Sequence, residues 1–358
     1  MDRKLAWIGL NAIPSLTPGR LGRLLERLGG PEEVWGASQA ELEAVLGEVG
    51  EKVARERAQA DPEKELSLAR KLGARILTWE EEGYPRALRE IPDPPPVLYV
   101  LGELGEKDEL AIAIVGTRRC TSYGRVVAET LARGLAAVGV TVVSGLAPGI
   151  DTAAHKGALS AGRTIAVLGT GLGRPYPAGS ERLIQRISEK GAAISEFPLK
   201  HGGTQWTFPR RNRIIAGLAL GVVVVEAPAR SGALITVDHA LAQGKEVLAV
   251  PGPITSHASA GTNRLIQEGA KLVTCVEDIL EEFSMPSLLP PEGKAQGQRD
   301  LDPEAKAVYD LVGLEPLGIS ELVERTGIPH PRLSQILVEL ELCGLVREVA
   351  GRRYMRAR

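Results

Sequence analysis

Six short apolar runs, rich in Val, Ile and Ala, constrain the fold of this chain more than any other feature. Segments of helix length separate them, and the runs are Ala111–Val115, Val140–Val143, Thr164–Leu168, Ala192–Ile194, Val222–Val225 and Val247–Val250. Strands that are apolar along their whole length are buried on both faces, as in parallel sheets covered by helices. The pattern predicts a doubly wound, mostly parallel, Rossmann-like α/β domain over residues 66–285. Its ligands are expected beyond the carboxyl ends of the strands.

A small helical module is predicted before this domain, over residues 1–65. Leucines recur there at helical spacing, and Ser38 is followed three residues later by Glu41, which is the pattern of a capping box. The segment Pro14–Arg20 resembles a helix-hairpin-helix turn, so the module is described as SAM-like. Two roles stay open for it, either presenting backbone N–H groups to phosphates or serving in packing and protein contacts.

A winged helix is predicted at the other end of the chain, over residues 301–358, after a Pro- and Gly-containing linker at residues 286–300. The pattern gives three helices and a hairpin: Pro303–Leu311, Glu321–Arg325 capped by Ser320, Pro331–Leu342 and Leu345–Met355. The third helix carries Arg332 together with Glu339 and Glu341. The other arginines lie in or after the hairpin, at Arg347, Arg352, Arg353, Arg356 and Arg358. DNA reading and protein contact therefore both remain open.

Composition excludes several classes of protein. A chain of 358 residues is expected to form two or three domains. Its three cysteines, Cys120, Cys275 and Cys343, form no Cys-x-x-Cys pair, which argues against a disulfide framework or a zinc site and favours a reducing cytosol. No signal-peptide pattern is found, and the longest apolar stretch, near Ile214–Val225, is too short to span a bilayer. We expect a cytoplasmic protein without membrane insertion or a metal.

The run Thr207-Phe208-Pro209-Arg210-Arg211-Asn212-Arg213-Ile214-Ile215 is the strongest functional signal. It combines an aromatic ring with three guanidinium groups. Proteins that bind single-stranded nucleic acid use arginines along the phosphates and aromatic faces that stack on any base. Between Lys200 and Arg264 seven cationic residues accompany three acidic ones, in a chain of net charge −2. This local excess favours an anion-binding face over a helix start with solvated arginines.

Two turns after predicted strands place further cations near the same edge. The turn Gly116–Gly124 lacks the Gly-x-Gly-x-x-Gly spacing of dinucleotide sites, and two of the three glycine positions hold Arg or bulkier residues. Thr121 or Ser122 is expected to cap the helix that follows it. After the fifth strand, Arg230 and Ser231 stand at another helix start, with Ser231 as its cap. We therefore expect Arg118, Arg211 and Arg230 to converge.

The patterns of several enzyme classes are absent from the sequence. Ser144, Asp151 and His155 lie close together, but Ser144 lacks the Gly-x-Ser-x-Gly elbow, so His155 is interpreted as a packing or hydrogen-bonding residue. The loop Gly169–Gly173 has the wrong spacing for a phosphate loop, and no Gly-Lys-Ser/Thr occurs. An NAD-dependent oxidoreductase is excluded by the missing fingerprint. A nucleotide-hydrolysing enzyme such as a phosphoribohydrolase stays as the rival. It needs a Pro-Gly-Gly-x-Gly-Thr loop and a positioned glutamate, whereas the corresponding place reads Arg230–Thr236 and Glu226 lies at a strand end without an evident partner.

A series of short motifs in fixed order resembles the DNA processing protein A family (DprA, also called Smf). The motifs are Gly116-Thr117-Arg118 with Tyr123-Gly124, Ser144–Asp151, Ala154-His155, Tyr176-Pro177, Ser195–Pro198, Phe208–Ile215, Ser231–Thr236 and Pro251-Gly252. Each is loose alone, but their order across the whole central domain is specific. The flanking helical module and winged helix also match common family architecture.

The resemblance implies a cytosolic homodimer that binds incoming single-stranded DNA during natural transformation. Such a protein protects the strand and helps load the recombinase RecA onto it, without a catalytic step or a cofactor. The resemblance also makes Arg118 of the Gly-Thr-Arg turn a principal DNA contact. The chain departs from the family pattern over Leu199–Trp206, which weakens the assignment of Lys200.

We therefore predict one DNA-binding groove at the carboxyl edge of the sheet. Its residues are Thr117, Arg118, Arg119, Tyr123, Lys200, Phe208, Arg211, Asn212, Arg213, Arg230, Ser231 and Lys245. The five arginines bind phosphates, the two lysines are secondary contacts, and Phe208 or Tyr123 stacks on bases. Asn212 has an alternative, structural role at its helix start. Four or five phosphate contacts predict a salt slope of about −3.

Overall fold

The structure, a computed structural model, describes residues 1–285, 288, 302–313, 315–342, 345–349 and 353–356. It divides the chain into two compact units, Met1–Leu288 and Leu289–Arg358. The predicted linker over residues 286–300 lies outside the described residues, apart from Leu288. Arg352 and Arg358 of the basic C-terminal set lie outside them as well.

A nine-stranded sheet forms the centre of the first unit. Its strands are β1 (Arg75–Thr78), β2 (Val97–Gly102), β3 (Ala111–Val115), β4 (Thr141–Ser144), β5 (Thr164–Val167), β6 (Ala192–Ser195), β7 (Gly221–Val224), β8 (Glu246–Ala249) and β9 (Lys271–Leu272). Their order is β1-β2-β6-β5-β4-β3-β7-β8-β9. The strands from β3 to β9 pair in parallel, whereas β2 pairs antiparallel with both β1 and β6. The predicted doubly wound, mostly parallel sheet is confirmed.

The six apolar runs correspond to β3 through β8, with ends that shift by at most one residue. Strands β4 to β7 are buried at every position, because helices cover both faces of the sheet. The sequence analysis does not predict the two antiparallel strands β1 and β2. β2 directly follows Pro94-Pro95-Pro96, and proline runs usually indicate loops rather than the start of a strand.

Helices between the strands cover the two faces of the sheet. They are α7 (Arg86–Arg89), α8 (Ser122–Ala137), α9 (Ile150–Ala161), α10 (Glu181–Lys190), α11 (Thr207–Leu218), α12 (Gly232–Ala242), α13 (Ala260–Gln267) and α14 (Val276–Glu282). Helices α8 and α9 pack especially closely, because a Cβ atom at Gly157 would lie 2.2 Å from the carbonyl oxygen of Glu129. Only glycine permits this approach of the two backbones.

The strand order reverses between β3 and β7. From β3 the chain adds β4, β5 and β6 toward one edge, and from β7 it adds β8 and β9 toward the other. The loops that leave β3 and β7 therefore turn in opposite directions and open a crevice between them. In doubly wound sheets this topological switch point is where ligands bind.

Six helices precede the sheet and pack against its unit. They are α1 (Arg3–Asn11), α2 (Pro18–Leu28), α3 (Pro31–Gly36), α4 (Gln39–Leu46), α5 (Val49–Gln59) and α6 (Pro62–Leu72). The predicted capping box of Ser38 and Glu41 is confirmed at the start of α4. Trp7 meets Trp79 edge to face at 5.8 Å, and its Nε1 donates to Glu80 at 3.0 Å. The helical module thus shares a core with the sheet.

The second unit contains three helices and three short strands within its described residues. They are α15 (Pro303–Leu311), α16 (Ile319–Thr326), α17 (His330–Leu342), β10 (Leu317–Gly318), β11 (Val346–Val349) and β12 (Arg353–Arg356). The strands form one antiparallel sheet in the order β10-β12-β11. The winged-helix prediction is confirmed, but Gly318 rather than Ser320 is the N-cap of α16.

Candidate functional site

A cavity of about 740 Å³ occupies the crevice at the switch point. One wall is the turn after β3, from Gly116 to Arg119, and the opposite wall is Pro228–Thr236, which includes the start of α12. The residues that line it include four arginines and one carboxylate: Arg118, Arg119, Arg211, Arg230 and Asp151. The cavity therefore carries a positive excess suited to an anion. The predicted convergence of Arg118, Arg211 and Arg230 is confirmed.

The Glu226 carboxylate holds the turn after β3 in place. It accepts hydrogen bonds from the Thr121 backbone N–H at 2.9 Å and from the Thr121 hydroxyl at 2.6 Å. Thr121 Oγ1 in turn accepts from the N–H of Gly124 at 3.1 Å, so Thr121 rather than Ser122 caps α8. A Cβ atom at Gly124 would lie 2.3 Å from this carboxylate. Glu226 is buried and fully engaged in shaping the turn.

Two further contacts set the position of the same turn. The Thr117 N–H donates to the Glu226 carbonyl at 2.7 Å, and Thr117 Oγ1 accepts from the Arg119 N–H at 3.3 Å. Gly149, at φ 87°, lies directly beneath the turn, and a Cβ atom there would be 2.4 Å from the Thr117 carbonyl oxygen. The backbone geometry therefore directs Arg118 and Arg119 outward.

Arg118 lies over two aromatic rings at the mouth of the cavity. Its Cζ is 5.1 Å from the ring centre of Phe208 and 5.9 Å from that of Tyr176, and the rings meet edge to face at 5.2 Å. Phe208 fits there because Gly169 and Gly203 have no side chains to meet its ring. Tyr176 is not among the predicted site residues, although the Tyr176-Pro177 pair is one of the motifs that resemble the family. The aromatic support orients an exposed guanidinium without neutralising it.

Arg211 is buried in the floor of the cavity, whereas Arg118 is exposed at its mouth. Its Nη1 donates to the carbonyl of Gly145 at 2.5 Å and also to the carbonyl of Val167. Burial lowers the pKa of Arg211 to about 10, which leaves it charged at neutral pH. The prediction that Arg211 binds phosphate at the surface is corrected, because backbone carbonyls hold its guanidinium in the floor.

Asn212 and Ser231 join the elements on the α12 side of the cavity. Asn212 Oδ1 accepts from Arg211 Nε at 3.1 Å, and its Nδ2 donates to the carbonyl of Gly232 at 3.3 Å. These contacts support the structural alternative for Asn212. Ser231 caps α12 by accepting from the N–H of Ala233 at 3.3 Å, as predicted, and Arg230 is exposed beside it.

Arg213 does not face the cavity, which contradicts its predicted role. Its side chain is buried and donates to both carboxylate oxygens of Glu196, at 2.7 and 2.9 Å. Its Nε donates to the carbonyl and the carboxylate of Asp93. Opening this buried pair to reach a phosphate would leave the Glu196 carboxylate with Arg210 alone and Asp93 without Arg213, which is unfavourable. Arg213 therefore links α11 to the segments that carry Asp93 and Glu196.

Lys245 is the second predicted site residue that lies away from the cavity. It immediately precedes β8, so it lies at the amino edge of the sheet, opposite the cavity. Lys200 is exposed in the loop after β6, and Tyr123 is 48% exposed with its hydroxyl donating to the carbonyl of Pro251 at 3.0 Å. Neither Lys200 nor Tyr123 lines the cavity. Their DNA contacts stay predictions.

Asp151 is the one acidic residue among the described residues that line the cavity. It is buried in the first turn of α9, and its Oδ2 accepts from the N–H of Ala147 at 3.3 Å. Burial raises the pKa of Asp151 to about 6, although Arg211 and Arg118 oppose this shift. Asp151 therefore exchanges its proton close to physiological pH, inside a cavity that is otherwise rich in cations.

The neighbours Ser144 and His155 are structural, in agreement with the sequence analysis. The Ser144 hydroxyl donates to the carbonyl of Ile114 at 2.6 Å. His155 is fully buried, with its Nδ1 2.8 Å from the Thr164 hydroxyl, and burial lowers its pKa to about 3. A Ser–His–Asp arrangement is not formed by these side chains.

Trp206 is a further residue that the sequence analysis does not select. Its side chain is 75% exposed, the largest exposed fraction of any aromatic side chain in the part of the chain that the structure describes. It directly follows Gln205 and precedes Phe208 by two residues, both of which line the cavity. Trp206 itself lines an adjoining cavity together with residues of α2 and of the loop after β6. An exposed indole next to Gln205 and Phe208 suits base stacking. The signal is present in the sequence, one residue before the basic run that begins at Thr207.

Neither a metal centre nor a membrane segment is found in the described residues. Among them no three His, Cys, Asp or Glu side chains cluster as ligands would. Likewise, none of their helices combines the length and apolar character that crossing a bilayer requires.

Fold and site together define an α/β protein with an arginine-lined crevice at its topological switch point and a separate winged helix. Residues 75–284 match the family model described as DNA recombination-mediator protein A, and residues 292–352 match that of the DprA winged helix domain. Protein Smf of Escherichia coli (strain K12) is 38% identical, covering 96% of this chain and 94% of that protein. The chain belongs to the DNA recombination-mediator protein A family, and its resemblance to DprA is confirmed.

Two solved structures of the family support the same assignment. DNA processing protein A from Streptococcus pneumoniae matches with a TM-score of 0.67 and 37% identity, over 76% of this chain and 95% of that one. The Helicobacter pylori protein, described for its single-stranded DNA binding mode, matches with a TM-score of 0.53 and 31% identity, over 59% of this chain and 95% of that one.

Proposed function

We propose that this protein binds single-stranded DNA through the cavity at the β3–β7 switch point, without a chemical step or a cofactor. In this role it is a cytoplasmic homodimer that protects incoming DNA and loads the recombinase RecA onto it during natural transformation. Arg118, Arg119 and Arg230 bind phosphates, while Arg211 adds positive charge from the floor. Phe208, Tyr176 and Trp206 offer aromatic surface to bases.

The observation that carries this proposal is that three arginines at the cavity are exposed and have no ion-pair partner among the described residues. Arg118, Arg119 and Arg230 are exposed, and within the described residues none of them forms an ion pair. Charged side chains left unneutralised around an apolar and aromatic cavity suit a polyanion with stacking bases. The Helicobacter pylori relative, described for its single-stranded DNA binding mode, supports the same ligand class.

The test is a salt titration of binding to a short oligonucleotide. Three phosphate contacts predict a slope of about −2, at about −0.7 per contact, lower than the sequence-based value because Arg211 and Arg213 no longer count as phosphate contacts. Arg118→Ala should weaken binding about tenfold or more, since a charge-assisted contact contributes about 1.5–3 kcal/mol. Arg133→Ala, at an exposed residue further along α8, is the matched control. Equal binding by Arg118→Ala and the control would refute the proposal.

Nucleotide hydrolysis is the second candidate, and Asp151 is the observation that favours it. A buried carboxyl whose pKa is raised to about 6, beside Arg118, has the properties of a general acid. Glu226, the carboxylate first considered for this role, is instead occupied by Thr121. Incubation with nucleoside monophosphates, followed by chromatography for free base, separates the candidates. Base release that Asp151→Asn abolishes would establish the enzyme.

A further inference from the structure

A second, smaller cleft lies on the far side of the Arg118 turn. It has a volume of about 260 Å³ and lies between α8 and α9. Its lining comprises Arg125 and Glu129 on α8, Thr152, Ala153 and Lys156 on α9, and Pro148, Gly149 and Pro177 from adjoining loops.

The cleft and the cavity share a wall. Ala147 and Asp151 line the cavity, whereas their neighbours Pro148 and Thr152 line the cleft. Gly149, in the cleft, lies beneath the carbonyl oxygens of Thr117 and Arg118. On the other side, the Tyr176 ring contacts Arg118 while Pro177 lines the cleft. A chain that crosses Arg118 out of the cavity therefore reaches the cleft next.

The cleft presents cations that are free to bind. Arg125 and Lys156 are exposed, and within the described residues neither has an ion-pair or hydrogen-bond partner for its side-chain nitrogens. Many other surface cations of the chain are paired, as Arg264 is with Glu268 and Arg325 with Glu321.

Two further charges act on this cleft. Glu129 is the one acidic residue among the described residues of the lining, one helical turn after Arg125. The first turn of α9 has the positive end of a helix dipole, which the Asp151 carboxyl in the same turn offsets. The two free cations of the lining outnumber its single carboxylate, so the cleft favours an anion.

We propose that the cleft is a second phosphate-binding subsite, which takes the DNA strand after it crosses Arg118. Arg125 and Lys156 bind consecutive parts of the phosphate backbone, and Glu129 limits the affinity. This inference rests on the proposed function, because continuity with the cavity identifies the occupant. It adds two phosphate contacts to the three at the cavity, so a long strand has a salt slope of about −3.5 and a short strand about −2.

The test compares two lengths of oligothymidylate on the full-length protein. Strands of about four nucleotides fill the cavity alone, and strands of about sixteen also reach the cleft. The double variant Arg125→Ala with Lys156→Ala should bind the short strand like the wild type. It should bind the long strand about tenfold more weakly, with a slope reduced by about 1.4.

The matched control is Arg133→Ala with Lys107→Ala, which removes the same charges elsewhere. Arg133 lies about 12 Å further along α8 than Arg125. Lys107 belongs to a 3-10 turn before β3, at the amino edge of the sheet. This control should bind both strands like the wild type. A thermal melt of each variant confirms that it is folded.

Glu129→Gln tests the same site in the opposite direction. Removal of the carboxylate from the cleft should tighten binding of the long strand about threefold and leave the short strand unchanged. Misfolding does not increase affinity. This variant therefore distinguishes a role of the cleft in DNA binding from a loss of binding that is caused by misfolding.

The outcomes separate the inference from the proposed function. If Arg118→Ala weakens both lengths while the cleft variants change neither, the inference is overturned and the cavity stands. If the cleft double variant weakens short and long strands equally, the cleft is not a separate subsite, and the inference also falls. If Arg118→Ala changes neither length, the proposed function itself fails.

Discussion

Arg118 is held by aromatic rings rather than by a carboxylate, and this distinguishes it from the buried arginines of α11. An ion pair would neutralise the guanidinium, as Glu196 neutralises Arg213. A cation–π contact contributes about 0.5–1 kcal/mol at an exposed site and leaves the charge in place. Phe208 therefore has two roles, since it orients Arg118 and offers its own ring to a base.

Phe208→Leu tests this double role. Loss of the ring should reduce the affinity for single-stranded DNA by about 1–3 kcal/mol, because both stacking and the orientation of Arg118 are lost. Fluorescence anisotropy with a labelled oligonucleotide measures it. Phe283→Leu is the matched control, because Phe283 packs against Gly221 at the start of β7, away from the cavity. Similar affinities for the two variants would contradict the role of Phe208.

Asp151 predicts a pH dependence of DNA binding. Since its pKa is raised to about 6, Asp151 is charged above this pH and neutral below it. Its negative charge opposes a phosphate, so affinity should rise as the pH falls from about 7.5 to 5. Asp151→Asn should bind more tightly at pH 7.5 and lose most of this dependence.

The pH profile is best measured in a His257→Gln background, so that the imidazole at the rim of the cavity does not contribute. Dissociation constants across the pH range, at constant ionic strength, give the comparison. Parallel profiles for the protein that retains Asp151 and for its Asp151→Asn variant would show that this carboxyl does not control binding.

At the scale of elements, the turn between β3 and α8 depends on a carboxylate that follows the end of β7. Glu226→Ala removes the acceptors of the Thr121 N–H and of the Thr121 hydroxyl hydrogen, although Thr121 Oγ1 still accepts from Gly124. A polar group left without its partner costs about 1–3 kcal/mol. We expect the free energy of unfolding to fall by about 2–4 kcal/mol, and DNA binding to weaken because the turn presents Arg118.

Denaturant unfolding and an affinity measurement on the same variant check this prediction. Glu246→Ala, at an exposed position at the start of β8, is the control for loss of a glutamate. An unchanged unfolding midpoint in Glu226→Ala would mean that the turn does not need the carboxylate.

Much of the element pattern could be predicted because burial on two faces requires continuous apolar strands. Side-chain direction could not be predicted so easily. Arg211 and Arg213 are two positions apart, and two residues rotate a helix by about 200°, so they face opposite sides of α11. The assignment of Lys245 rests on charge alone, although its place before β8 puts it at the amino edge. The Glu226–Thr121 contact joins residues 105 positions apart, and no local pattern indicates it.

At the scale of the molecule, the winged helix is poorly suited to reading DNA with its third helix. Arg332 is engaged by Asp302 at 2.7 Å and by Glu304 at 2.8 Å. The exposed residues of α17 include Glu339, Glu341 and the apolar Val338. An acidic, partly apolar face favours the protein-contact alternative, because carboxylates repel phosphate.

A truncated chain that ends at residue 285 tests which of the two compact units contacts single-stranded DNA. It retains the whole nine-stranded sheet and the cavity, and the second compact unit begins only at Leu289. We expect its affinity for a short single strand to stay within about twofold of the full chain, since the surface contacts lie in the first unit. Electrophoretic mobility shifts with both proteins make the comparison. A loss of more than about tenfold would assign DNA contacts to the winged helix.

The hydrogen bonds between Thr121 and Glu226 join the loop after β3 to the loop after β7, the two loops that border the cavity. The two loops therefore cannot separate without breaking these hydrogen bonds. The DNA strand must then adapt to a preformed binding site. The entropic cost of ordering therefore falls on the DNA rather than on the protein. Association should accordingly be fast and governed by long-range attraction, with no slow rearrangement of the protein.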